Sequence, residues 1–84
     1  MIAEPEVYRA LTPLFAEVFL RDDIVLAPEL TARDVEGWDS FKQIEIIIAA
    51  EQRFRMKFTS RDIDGLRSLG DLVAIIALRG TVAA

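Results

Sequence analysis

Apolar residues recur at helical spacing in three stretches of the chain, and nowhere do they alternate as a strand requires. In the first stretch Val7, Leu11, Leu14, Phe15 and Val18 make one apolar face. Glu4, Pro5 and Glu6 suit its first turn, where the N–H that proline lacks costs nothing. Pro13 is the awkward residue. Inside a helix it removes a hydrogen bond and kinks the rod, while Thr12-Pro13 could equally cap and begin a second helix. The pattern is read as one kinked helix over residues 4–20.

From Arg21 to Trp38 the apolar residues Ile24, Val25, Leu26, Leu30 and Val35 keep no period, and acids, a proline, a threonine and a glycine are scattered among them. This is a long loop. A loop of such length in a small domain needs a use, so its apolar residues are expected to pin it across the bundle. Trp38 is expected to anchor that packing.

The second helix is predicted over residues 39–55 and is too apolar to have one buried side. Gln43, Ile47, Ala50 and Phe54, flanked by Ile46, follow one face, and Phe41, Ile44 and Ile48 form a second stripe. Two arrangements fit: a central helix packed on both sides, or a core stripe with an exposed patch that other proteins grip. Further on, Thr59 with Asp62 is a capping pattern for one or two helical turns ending near Gly65. Ser68 with Asp71 repeats it and opens a last helix carrying Leu69, Leu72, Val73, Ile75, Ile76 and Leu78, with Arg79 in its final turn and Gly80 just beyond. The fold class is all-α, a small bundle of three longer helices and one short one, with a long loop between the first two.

Candidate chemistry concentrates at the start of the second helix, in Glu36-Gly37-Trp38-Asp39-Ser40-Phe41. Gly37 allows a turn, and Asp39 or Ser40 can cap the helix. Ser40 therefore sits where free N–H groups and the positive end of the helix dipole favour an added anion, such as a phosphate ester. The chain contains no His and no Cys. Nothing here can activate the serine as a nucleophile, and neither a catalytic triad nor a His/Cys metal site can be built. Ser40 reads as an acceptor modified by another enzyme, and no residue reads as catalytic or metal-binding.

Eighty-four residues make a single domain, with room for a core but not for a deep cleft. A net charge of −4 argues against nucleic-acid binding. No apolar run is long enough to span a membrane, and the N-terminus lacks the basic and apolar regions of a signal peptide. A cytoplasmic monomer that binds no membrane is expected.

Gly37-Trp38-Asp39-Ser40-Phe41, followed by Ile44-Glu45-Ile46-Ile47 and Glu51-x-x-Phe54, resembles the acyl carrier protein family, whose attachment motif is Gly-x-Asp-Ser-Leu at the start of its second helix. Ser68-Leu69-Gly70-Asp71-Leu72 is similar to the start of that family's last helix, so the resemblance covers nearly the whole chain. It implies that Ser40 carries a 4′-phosphopantetheine arm delivered from coenzyme A by a phosphopantetheinyl transferase, and that the arm's thiol holds acyl groups. It also implies a recognition role for Asp39 beside its role as a cap. The implied partners are an acyl-loading enzyme, either an acyltransferase or an adenylating ligase, and a downstream synthase. The implied partner face comprises Phe41, Ile44 and Ile48 with Lys42 and Glu45.

Three departures from the family pattern stand out. Phe41 replaces leucine, Arg55 stands where many relatives have a glycine, and the second helix is poor in acid. Between residues 39 and 57, Asp39, Glu45 and Glu51 are outweighed by Lys42, Arg53, Arg55 and Lys57, with Lys42 and Arg53 expected to be solvent-exposed. Charge on a recognition face governs partner choice, which points to a free-standing carrier for a dedicated fatty-acid, polyketide or lipid pathway. A peptidyl carrier and an unmodified helical interaction module are the alternatives.

Overall fold

The computed structural model describes residues 1–81 and is all-helical. Its helices are α1 (Glu4–Phe19), α2 (Ser40–Phe54), α3 (Ser60–Asp64) and α4 (Leu69–Arg79). A single α1 passes through Pro13, which stays on the exposed side, and the Thr12 hydroxyl donates to the Tyr8 carbonyl at 2.9 Å. The helix stops when Leu20 turns left-handed (φ 56°) and the Arg21 N–H closes on the Ala16 carbonyl at 3.1 Å. No helix among the described residues is long and apolar enough to cross a membrane.

The core joins three faces. Val7, Leu11 and Phe15 of α1 meet Ile46, Ile47, Ala50 and Phe54 of α2, and Leu69, Leu72, Val73, Ile76 and Ala77 of α4 close the third side. α1 and α2 run in opposite senses, since Lys42 lies beside Val18 while Arg53 shares a groove with Ala10 and Pro13. The α2 core stripe is the one the sequence pattern predicts, except that Gln43 is only half-buried.

The loop between α1 and α2 is pinned as expected at Leu26 and Leu30, which pack on the core, while Val35 is buried outside that core cluster. Val25 departs from the expectation and stands 80% exposed. What holds the loop down is also polar. The carbonyl of Pro28 accepts from the Gly70 N–H at 2.9 Å, and that of Leu30 from the Leu69 N–H at 2.8 Å. Two orphan donors at the start of α4 are thereby satisfied by the loop. A side chain at position 70 would crowd the Pro28 carbonyl, because a Cβ there would lie 3.0 Å from that oxygen.

This arrangement corrects the capping pattern at α4. Ser68 occupies the N-cap position, but its hydroxyl makes no cap bond, and Asp71 instead accepts from the Arg67 N–H at 2.9 Å. The pattern at α3 is realised in full, with Thr59 and Asp62 each accepting from the other's backbone N–H. Asp62 is also paired with Arg79 at the far end of α4. Gly80 ends α4 at an ordinary φ of −77°, so its smallness serves packing: a Cβ there would meet the Ile76 carbonyl at 2.7 Å and the Phe54 Cβ at 3.1 Å.

Two measurements check this packing. Ile47→Ala and Phe54→Ala each lose about 2 to 5 kcal/mol in denaturant melts, whereas Ile44→Ala, on the exposed stripe, loses well under half as much. The second concerns acid. The Thr59 N–H, and after it Arg79, hold the Asp62 carboxyl below its ordinary value of 3.8, and the Arg67 N–H does the same for Asp71. A depressed carboxylate stabilises the fold above the unfolded-state value, and that contribution disappears as pH falls through the folded-state value. Wild type therefore loses stability as pH falls from about 5 through those depressed values, and Asp62→Asn, already weaker at neutral pH, loses less.

Candidate functional site

The loop reaches α2 through a short, constrained approach. The Trp38 N–H closes a turn on the Val35 carbonyl at 3.2 Å, and Gly37 sits at φ 90°, a region closed to most side chains. Asp39 then adopts extended backbone as the N-cap. Its carboxylate accepts from the Lys42 N–H at 3.0 Å and its carbonyl from the Gln43 N–H at 2.9 Å. Of the two candidate caps, Asp39 is the one used.

Ser40 is the first residue of α2 and is exposed. The N–H groups of Ser40 and Phe41 have no acceptor among the described residues, because Asp39 serves only the next two. The positive end of the helix is thus open beside the Ser40 hydroxyl. Such a terminus suits an exposed phosphodiester, which needs donors and positive potential but no enclosing pocket.

Trp38 fixes the approach to that serine. Its ring meets Phe15 edge-on, with centroids 5.5 Å apart and planes at 76°, and Phe19 lies 5.7 Å away. The indole N–H donates to the Gln43 side-chain oxygen at 2.8 Å. Gln43, read from its spacing as part of the core stripe, instead secures the tryptophan across the cap. No helical periodicity signals a bond from outside a helix to its fourth residue, so only the structure reveals it.

Phe41, Ile44 and Ile48 are 79%, 57% and 49% exposed, while Ile46 and Ile47 beside them are buried. α2 is therefore not packed on both sides. Glu45 is exposed beside this stripe. Lys42 departs from the expected solvent-exposed charge: its Nζ donates to the Val18 carbonyl at 3.0 Å and lies 3.5 Å from Glu45. Arg53 is exposed, its guanidinium 5.6 Å above the Phe54 ring. Arg55 ends the helix in a left-handed conformation (φ 52°) that a glycine would adopt more easily. Glu51 is turned inward, accepting from the Phe58 N–H at 2.8 Å. With Asp39 committed to the cap, Glu45 is the remaining outward acid of α2.

A family model described as "Phosphopantetheine attachment site" matches residues 9–76. An acyl carrier protein of Kineococcus radiotolerans is 32% identical over 78 residues, covering 92% of this chain and 95% of that one. The chain belongs to the acyl carrier protein family. A holo acyl carrier protein from Geobacter metallireducens, solved by NMR, superposes with a TM-score of 0.78 at 36% identity over 82% of this chain and 79% of that one. The meromycolate extension acyl carrier protein of Mycobacterium tuberculosis is 28% identical over 75 residues, or 89% of this chain. The chain spans 65% of that relative's length. The domain is accordingly a non-catalytic carrier whose cofactor is covalently attached 4′-phosphopantetheine.

In this acyl carrier domain the Asp39 cap can be tested by substitution. Asp39→Ala loses the cap and about 1 kcal/mol of stability in urea titrations, while Asp39→Asn keeps an accepting oxygen and loses only a few tenths.

Proposed function

We propose that Ser40 is the attachment residue and that the protein carries acyl intermediates for a dedicated lipid or polyketide pathway. The observation that carries the reading is the exposed hydroxyl of Ser40 at the first position of α2, beside two N–H donors that have no acceptor among the described residues and the open end of the helix dipole. In the attachment step the Ser40 Oγ attacks the pantetheine-bearing phosphorus of coenzyme A. A new P–O bond forms as the pyrophosphate bond breaks, adenosine 3′,5′-bisphosphate leaves, and the hydroxyl proton passes to a base on the transferase. The attached arm supplies the thiol that this cysteine-free chain lacks, and acyl groups are held on it as thioesters.

This chain's own residues hold the attachment point and present it. Asp39 caps α2 and offers its charge beside the serine to the transferase. Phe41, Ile44 and Ile48 form the outward apolar patch that the transferase, an acyl-loading enzyme and a downstream synthase meet in turn, with Glu45 at its edge. The low acidity of that face, where Glu51 is turned inward and Arg53 outward, supports partners other than those of general fatty-acid synthesis. The name of the meromycolate extension relatives supports a lipid pathway, and acyl cargo over aminoacyl cargo. The reaction is placed in the cytoplasm, where coenzyme A is supplied.

Incubation of the purified protein with coenzyme A and a broad-specificity phosphopantetheinyl transferase adds one phosphopantetheinyl group by intact-protein mass spectrometry, and Ser40→Ala abolishes the gain. No gain in the natural protein, or a gain that survives Ser40→Ala, would overturn the reading in favour of an unmodified interaction module. Asp39→Asn separates cap from charge in the same assay: it is modified at least about tenfold more slowly while remaining folded.

A further inference from the structure

We propose that Lys42 is a positioning residue, setting the Ser40 hydroxyl for modification by tying the first turn of α2 to the last turn of α1. The inference rests on Ser40 being the attachment residue.

The tie meets a need of α1. A helix leaves its last carbonyls without donors, and a cation is favoured there, yet the last turn of α1 contains no basic residue. The helical donor for the Val18 carbonyl would be the N–H of Asp22, but the chain turns away at left-handed Leu20. Lys42 supplies the missing donor from a separate helix, placing Nζ 3.0 Å from that carbonyl across 24 positions of sequence. Its side chain is 32% exposed, and Glu45, 3.5 Å from Nζ, balances the charge. The lysine is therefore turned toward α1 and away from the patch that faces partners.

Its place relative to Ser40 gives the tie a further consequence. Trp38, two residues before the serine, packs on Phe15 and Phe19, and Lys42, two residues after it, binds Val18. Residues on both sides of the serine thus stand on the C-terminal end of α1, while the serine between them is exposed. Two footings hold, on both sides, the backbone from which the hydroxyl projects, whereas the tryptophan alone holds it on one. Attack on phosphorus needs an in-line approach, so small errors in the hydroxyl's direction are costly. Phe41, Ile44 and Ile48 face outward from α2, and docking on them survives the loss of the tie.

The test measures steady-state phosphopantetheinyl transfer to the intact natural chain, Lys42→Met and Lys42→Arg, with amide hydrogen exchange on the same three proteins. Lys42→Met keeps the aliphatic stem but no donor. It lowers kcat about tenfold, leaves KM and its salt dependence unchanged, and speeds exchange at the Lys42 and Gln43 N–H groups. Lys42→Arg keeps a donor that reaches Val18 and recovers most of the rate. A Lys42→Met protein with natural kcat would overturn the proposal, as would Lys42→Arg failing to recover. A loss confined to KM that grows at low salt would also overturn it, making Lys42 a direct contact of the transferase. A natural chain that accepts no group at all would remove the attachment reading itself, and this inference with it.

Discussion

The seating of Trp38 on Phe15 and Phe19 is the contact on which the geometry around Ser40 depends. Gly37 turns the chain toward α1, the indole packs against both phenylalanines, and its N–H is satisfied by Gln43 of the helix that follows. Aromatic packing of this kind is worth more than area alone, and the hydrogen bond removes the cost of burying the indole nitrogen. Once the tryptophan is seated, Asp39 falls where its carboxylate can cap α2. The serine then emerges with its own N–H and that of Phe41 unclaimed. A reactive position can be exposed and still be well placed when its neighbours carry the restraint.

The long loop serves the same end from the other side. Pro28 and Leu30 give their carbonyls to the first N–H groups of α4, so the loop replaces the side-chain cap that Ser68 does not provide. Half-buried Leu26 and Leu30 hold it against the core. α1, the loop, α2 and α4 thereby become one cooperative unit. α3 is joined to α4 by the pairing of Asp62 with Arg79.

Much of this was legible in the residues, because the signals involved are local. Helix extents follow from apolar spacing and punctuation, and the Thr59–Asp62 capping box lies within four consecutive positions. The exposed serine at a helix start needed only Gly37, Asp39 and the apolar run beyond them, and the absence of His and Cys ruled out self-activation. The rest was hidden because it depends on partners far away in sequence. Ser68 and Asp71 have the spacing of a capping box, but the Gly70 N–H goes to the Pro28 carbonyl and the Asp71 N–H to Ser68's own carbonyl, so the serine hydroxyl is left out. Lys42 looks like a surface charge until the unsatisfied end of α1 is brought against it. Val25 belongs to an apolar cluster in sequence, yet it faces solvent because its neighbours Ile24 and Leu26 take the inward positions.

The central claim is that the open N-terminus of α2 receives the phosphate joined to Ser40. Backbone amide spectra of the 15N-labelled protein before and after modification test it most directly. The account predicts the largest changes at the Ser40 and Phe41 N–H groups, the two donors without an acceptor, with the Trp38 indole and the core amides of α1 and α4 nearly unmoved. Ser40 and Phe41 amides that do not respond, or changes spread through the core, would contradict it.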